Sequence, residues 1–417
     1  YGAQDVYLTG NPQITFFKVV YRRHTNFAME AIQQTFSGNA TYDNNFTCQI
    51  SRNGDLINRV YLQVDVPALA SANKYVNYLG LRLINYVEIT IGGQSIDKHY
   101  ADWLYIWNEL SLPIGKRSAW ELMIGADQDI TSTASNSVNG VAFTTLYIPF
   151  EFWFCRNVGL ALPLIALQYH EVKIKVQLEK RDNCLYTLSG SGDASTTVPV
   201  SSDLTQGVLS NVNLWVDYIF LDTDERRKFA QLSHEYLIEQ LQFTNSLPLN
   251  TGTNRLLINF NHPCKELIWV AKTSSSTSVN QWYNYTMTSS AGALPIANTL
   301  FGLTKFTSDT VTSNIYLGGG ISASDGSTVV NSILYNIEPG LKSSALNPFT
   351  NCLLQLNGSS DRFAVREGNY FSYVQPYQHH TNIPHNSGIN VYSFALKPEE
   401  HQPSGTLNMS RIDNTSL

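Results

Sequence analysis

Charge is scarce in this sequence. Only 14% of its 417 residues are Asp, Glu, Lys or Arg, against roughly a quarter in an ordinary soluble protein. The balance is −6, which excludes a general polyanion binder, since that needs a basic face. Cysteine is sparse as well. Cys48, Cys155, Cys184, Cys264 and Cys352 are odd in number, far apart and without a C-x-x-C pair, so neither a disulfide framework nor a zinc ribbon is written here. They read as small buried hydrophobes. Long apolar runs are missing too: the longest, "VGLALPLIAL" at 158–167, contains a proline and is too short to span a bilayer. No secretory signal is visible in a chain that starts at Tyr1.

Catalytic patterns are also lacking. His170-Glu171 and His234-Glu235 have no second histidine to make a zinc-protease motif, and "GGQSID" carries Asp97 where a nucleophile elbow needs glycine. No Walker loop or G-x-G-x-x-G occurs. His379, His380 and His385 stand close together, but with no Cys or acid at ligand spacing they read as a solvated histidine loop rather than a metal site. No cofactor is expected, and no enzyme.

What the sequence has in quantity is alternation. "HEVKIKVQLEK" sets Val172, Ile174, Val176 and Leu178 against Glu171, Lys173, Lys175 and Gln177, a strand dry on one face and wet on the other. Val60, Leu62, Val64 and Val66 repeat the pattern, as do Val212, Leu214, Val216, Tyr218 and Phe220, and Leu81, Leu83, Val87, Ile89 and Ile91. "YLIEQLQF", "RLLINF", "KELIWVA", "NCLLQL" and "NVYSFALK" continue it after residue 234. Short strands between turn-rich stretches predict an all-β protein of sandwiches rather than βαβ units. Few helices are predicted: 101–112, 115–126, and "DTDERRKFAQ", where Asp222 and Glu225 form a capping-box pattern.

A length of 417 residues favours at least two domains. The halves echo each other: "GDLINRVYL" from Gly54 resembles "KELIWVA" from Lys265, and "ITIGGQSID" (89–97) resembles "LQLNGSSD" (354–361), in the same order. The expectation is one β unit over 1–221, a short helical linker over 222–233 and a second β unit over 234–417. Ser/Thr/Gly/Asn-rich insertions at 127–144, 181–207 and about 274–346 are expected as exposed loops, the last too long to lack structure of its own. Six N-x-[ST] sequons occur, at Asn39, Asn45, Asn284, Asn357, Asn408 and Asn414. Asn284, inside the long insertion, is expected to be the most exposed; with Asn357, Asn408 and Asn414 it is a candidate for sugar. "TGNPQITFFKVVYRRHTNF" (9–27) packs Phe16, Phe17, Val19, Val20 and Tyr21 beside Arg22, Arg23 and His24, either a basic–aromatic grip on nucleic acid, which the acidic balance disfavours, or a strand over Ile14–Tyr21 that ends in cations.

Several long motifs carry a resemblance. "GAQDVYLTGNPQITFFKVVYRRHTNF", "ISRNGDL", "IGGQSIDKHYADW", "LALPLIALQYHEV", "WVDYIFLDTDERRKFAQLSHEYLIEQLQF", "FNHPCKELIW" and "SFALKPEEHQPSGTLNMSRIDN" resemble, in order and along nearly the whole chain, the major capsid proteins of nucleocytoplasmic large DNA viruses: the algal, iridovirus-like and giant amoebal viruses. The resemblance implies two consecutive jelly-roll β-sandwiches with long loop insertions and a few short helices. It implies a homotrimer whose six sandwiches form a pseudo-hexagonal capsomer of an icosahedral double-stranded DNA virus shell. Outward insertions are implied, with an inward N-terminal segment (1–13) facing minor capsid proteins and an inner viral membrane. Arg22, Arg23 and His24 would then lie at an inner edge, with no direct contact to nucleic acid. Location in the virion capsid and assembly in the host cytoplasm are implied too. The family pattern continues past "SRIDN" with strands completing the second jelly roll, so its last strands are expected beyond Leu417.

Two other readings share the fold. A carbohydrate-binding or adhesin-like sandwich would place Trp282, Tyr283 and Tyr285 in a shallow exposed groove. A β-sandwich hydrolase would converge two carboxylates in a cleft.

Overall fold

The computed structural model of the chain describes residues 2–11, 24–67, 69, 73–126, 144–189, 196–199, 208–278, 280–287, 303–305, 333–335, 347–357, 360–384, 386–412 and 415–417. The strand expected over Ile14–Tyr21 lies outside these residues. Within them, alternation translates directly into sheet. The strand Val172–Leu178 alternates buried and half-buried along its whole length, and Val60, Leu62, Val64 and Val66 all point into the core of Leu56–Val66. Each such buried aliphatic stabilises the fold by about 1.5–3 kcal/mol relative to exposure.

Beside short strands at Phe36–Gly38 and Leu162–Pro163 and a separate three-stranded sheet of Asn73–Tyr75, Leu185–Ser189 and Thr196–Pro199, eight main strands build the first unit: β1 (Phe27–Gln34), β2 (Asn45–Gln49), β3 (Leu56–Val66), β4 (Ile84–Ile91), β5 (Gln94–Tyr100), β6 (Thr144–Pro149), β7 (Val172–Leu178) and β8 (Ser210–Leu221). They pair antiparallel in two sheets, ordered β1-β8-β3-β6 and β2-β7-β4-β5. That order is a jelly roll. Its two inner faces interdigitate through Phe46, Leu62, Val64, Ile89, Leu146, Ile148, Ile174, Val176, Leu214 and Val216, all at or near zero exposure. Leu81 and Leu83, read from the sequence as strand, lie instead on a helical turn, Leu79–Leu83, before β4 begins.

Besides the short turns Leu79–Leu83 and Trp153–Arg156, four longer described helices serve this unit. α1 (Ala3–Thr9) precedes it. α2 (Ala101–Ser111) and α3 (Ile114–Ile124) fall where the sequence places them; α2 buries Leu104, Tyr105, Ile106, Trp107 and Leu110. α4 (Thr223–Gln231) follows β8, and Asp222 caps it by accepting a hydrogen bond from Thr223 N. Buried between α2 and α3 is an ion pair: Arg117 Nη2 donates to Glu109 Oε1 at 2.5 Å, and Arg117 Nε to Glu121 at 2.9 Å. The Glu109 side chain is wholly enclosed.

The second unit is also antiparallel. Leu257–Ile258 (β9), Thr415–Ser416 (β16), Asn351–Leu356 (β12) and Ser360–Glu367 (β13) make one sheet in the order β9-β16-β12-β13. Pro263–Cys264 (β10) pairs Leu407–Asn408 (β15), and Glu266–Trp269 (β11) pairs Asn390–Ser393 (β14). A small core of Leu267, Cys352, Leu354, Phe371 and Met409 fills it, with Trp269 packed on Phe371 at 5.1 Å between centroids. One pair of internal echoes falls on like elements. Residues 89–97 and 354–361 each form a hairpin, β4–β5 and β12–β13.

"YLIEQLQF" departs from expectation. Residues 236–243 join no ladder. They lie along β5, and its bonds explain why: Leu241 N donates to the Asp97 carboxylate and the Gln240 amide to Ile96 O. At Leu241 a side-chain carboxylate, not a neighbouring strand, takes the backbone N–H.

Candidate assembly surfaces

Strand direction sorts the first sandwich into two ends. β1 begins opposite the end of β8 (Phe27 faces Leu221), and the β4–β5 turn lies beside the start of β7 (Ile91 faces Val172). This end also holds a groove of about 1,040 Å³ lined by Thr35–Ser37, Gln49–Arg52 and Gln168–Lys173. Arg52 Nη2 clamps its rim by donating to Leu167 O and His170 O, and Tyr169 projects from it almost fully exposed. At the opposite end β3 finishes beside the start of β6 (Val66 faces Thr144). The insertion expected over 127–144 lies, but for Thr144, outside the described residues.

His24, at the entry end, is exposed, its Nδ1 2.9 Å from Thr25 O. Arg22 and Arg23 lie outside the described residues. Asn414 lies outside them as well. Asn357 is exposed in the β12–β13 turn with φ +55°, and Asn408 is exposed but accepts a hydrogen bond from Ser410 N.

Asn284 is the correction. It is 2% exposed, not the most exposed sequon. Its Nδ2 donates to Gln281 Oε1, and its Oδ1 accepts from both Thr286 N and Thr286 Oγ1. The described start of the long insertion folds back onto the first sandwich instead of standing free. Asp102 organises it: Lys272 Nζ lies 2.7 Å and Tyr285 Oη 2.6 Å from Asp102 Oδ1. Gly388 permits this closeness, because a Cβ there would sit 1.9 Å from Tyr285 O.

The same packing removes the aromatic platform of the carbohydrate-binding reading. Tyr283 and Tyr285 are buried. Trp282 is half-covered by the Arg82 guanidinium, 3.8 Å above its ring, and donates to Asn183 O. These rings hold an insertion down.

The histidine segment also differs from a solvated loop. The His380 side chain is wholly buried, Nε2 2.9 Å from Glu266 Oε2 and Nδ1 2.9 Å from Glu399 Oε1. Burial pushes its pKa down, but the two carboxylates outweigh that and hold it up at about 9. No sequence signal joins 266, 380 and 399, since the contact is made only by folding. Beside it, Glu239 links the units: it pairs with Arg156 of the first and Lys265 of the second. Among the described residues, no group of three or more His, Cys, Asp or Glu could hold a metal.

Two family models match in tandem: the major capsid protein N-terminus over residues 15–222, and the large eukaryotic DNA virus major capsid protein over 225–417. The chain belongs to this capsid protein family. It is 46% identical to the major capsid protein of Phaeocystis pouchetii virus, covering 100% of this chain and 90% of that one. It is 42% identical to that of Paramecium bursaria Chlorella virus 1, covering 100% and 84%. A quasi-atomic model of the PBCV-1 capsid superposes with a TM-score of 0.69 at 37% identity, over 96% of this chain and 86% of that one. The Faustovirus major capsid protein, 16% identical, shares the fold with a TM-score of 0.65 over 100% and 90%. The double jelly roll is therefore that of a structural, non-enzymatic capsid protein, one that assembles with other copies into the icosahedral shell of a large DNA virus. Its place is the virion. Seen as a capsid protein, its poverty in charge has a physical sense, because much of its surface is destined for other chains.

Proposed function

We propose that three copies of the chain associate as a pseudo-hexagonal capsomer, the tiling unit of the shell. One observation carries this: a single chain supplies two antiparallel sandwiches in tandem. Three chains then present six similar blocks, so a threefold particle tiles a hexagonal net. On this reading the chain divides at 222–233, with units 1–221 and 234–417, and the tandem family matches support that division.

The entry end of the first sandwich is the inward one. There Arg22, Arg23 and His24 contact minor capsid proteins or the phosphates of an inner viral membrane, and the genome is not touched directly. The loop end faces outward, and neighbouring capsomers meet at the sides. Asn357 and Asn408 are the described candidate sequons exposed enough to carry sugar; Asn414, the remaining candidate, lies outside the described residues. Assembly takes place in the host cytoplasm.

Light scattering after size-exclusion chromatography tests the capsomer. Three chains of 46.7 kDa give about 140 kDa, which should persist on dilution; a stable monomer overturns the reading.

A further inference from the structure

The outer face of the β1-β8-β3-β6 sheet is unlike the outer face of its partner sheet. The partner sheet pairs Tyr86 with Tyr100 but covers that row with charge: Lys98 Nζ lies 3.7 Å over the Tyr86 ring, and Lys173, Lys175 and Glu88 fill the neighbouring positions. On the first sheet, the register instead lines up Gln33, Trp215, Tyr61 and Pro149 across all four strands. Tyr147 stands one row away, opposite Gln63. Tyr61 and Trp215 stack at 6.4 Å between centroids, and Tyr61 meets Tyr147 at 6.3 Å. Toward the entry end the same face continues through Ala31, Met29 and Phe27 of the edge strand, the last two about half exposed.

Amides fix this aromatic ladder in place. Trp215 Nε1 donates to Gln63 Oε1 at 2.7 Å, and Gln33 Nε2 donates to Asn213 Oδ1 at 2.7 Å. On these central rows Arg59 and Asp217 oppose each other in register and cancel, and Asp65, one row past Gln63, is buried with its oxygens bonded by Thr145 Oγ1 and Asn211 Nδ2. Asp217 is already partly desolvated, and burial raises its pKa despite Arg59.

A rigid, aromatic, charge-balanced surface with amide hydrogen-bonding groups has the composition of an interface centre. Identical chains can bring such a surface together without charge repulsion. Four strands about 4.8 Å apart over about eight residues cover on the order of 500 Å², the larger part of the roughly 800 Å² that one partner gives to a standard interface.

We propose that this face is one side of a contact with a second copy of the chain, inside the capsomer. In a threefold ring the contact is heterologous, so the face meets a different surface of the next copy. The inference rests on the trimeric reading above and adds where the copies touch.

The experiment compares wild-type chain, Tyr61→Ser/Tyr147→Ser, Met29→Glu, and a control on the opposite sheet, Thr47→Ala/Lys175→Ala. Molar mass is followed over a dilution series, with circular dichroism to confirm folding. The two ladder variants should keep the wild-type spectrum and dissociate at a protein concentration at least tenfold higher than wild type, while the control stays assembled. Hydroxyl-radical footprinting of wild type gives an independent reading: Tyr147 and Met29 should be protected in the assembled particle. A trimeric wild type whose ladder variants are equally stable, with Tyr147 and Met29 reactive, overturns this inference and leaves the capsomer standing. A monomeric wild type overturns both. Retention of a glycan on immobilised wild type, lost in Tyr61→Ser/Tyr147→Ser with the trimer intact, assigns the face to sugar and overturns the contact.

Discussion

His380 and Glu399, nineteen residues apart, meet at 2.9 Å with the imidazole wholly enclosed. On its other nitrogen stands Glu266. A cation thus joins β11, the histidine helix (Gln375–His379) and the loop after β14. Because its pKa in the fold is about 9 and its unfolded value is about 6.5, folding binds a proton between those two values. The stabilisation is complete below about pH 6.5 and is lost as pH rises through about 9, on the order of 3 kcal/mol. Melting temperature should therefore decline from about pH 7 to 9.5. His380→Gln should melt lower at pH 6.5 and lose that slope; an unchanged slope would sink the assignment.

Glu109 and Arg117 give a second test. Arg117→Ala leaves a carboxylate enclosed without its guanidinium and should cost about 3–5 kcal/mol in denaturant unfolding. Glu109→Gln/Arg117→Met removes both charges and should cost clearly less. Equal losses would mean that packing, not the charge, is what matters.

The two units should come apart at Glu239. Glu239→Ala breaks the pairs with both Arg156 and Lys265, each partly screened by solvent, so a modest loss of about 1–2 kcal/mol is expected. Its signature should be faster protease cleavage within 232–256, where residues join no ladder. Unchanged cleavage would argue against the link.

The thiols are predicted to be inert. All five cysteines are free. Burial pushes Cys48 up to about 12 and Cys264 and Cys352 to about 11, and raises Cys155 and Cys184 further still. Thiolate is the reactive form, so an aromatic disulfide reagent at pH 8 should label none of them in the fold and all five in guanidinium. Fast labelling of the native chain would contradict the burial.

Asn284 should carry no sugar. Peptide mapping of virion protein should find that site bare, and Asn284→Ala should lower the melting temperature, because Thr286 and Gln281 lose their partner. A glycan at Asn284 would require the insertion to leave the sandwich.

β3, β4, β7 and β8 were legible in the sequence because each keeps a run of alternating dry and wet positions; β1, exposed at nearly every position, carries no such signal. Val172–Leu178 needed nothing beyond its own pattern. Asn284, Asn347, Ser372 and Asn390 were not legible. Polar turn-forming residues suggest surface, yet Asn347 Nδ2 donates to Ser372 Oγ and Asn390 Oδ1 inside the second unit. Burial of such groups is decided by partners distant in the chain. The same holds for His380, whose neighbours in sequence gave no acid at ligand spacing. The aromatic ladder was hidden for a third reason: Tyr61, Tyr147 and Trp215 belong to three strands, and only register aligns them.

The pairing of β1 with β8 reaches beyond equilibrium. Gln33 bonds to Asn213 across 180 positions of chain, so the first strand waits for its neighbour until half the polypeptide has left the ribosome. Closing so distant a pair is slow, and until then the inner edge of β1 is an unpaired template for any passing strand. For a chain made in many copies to fill a shell, this waiting time exposes every copy to mispairing with its neighbours before it can assemble.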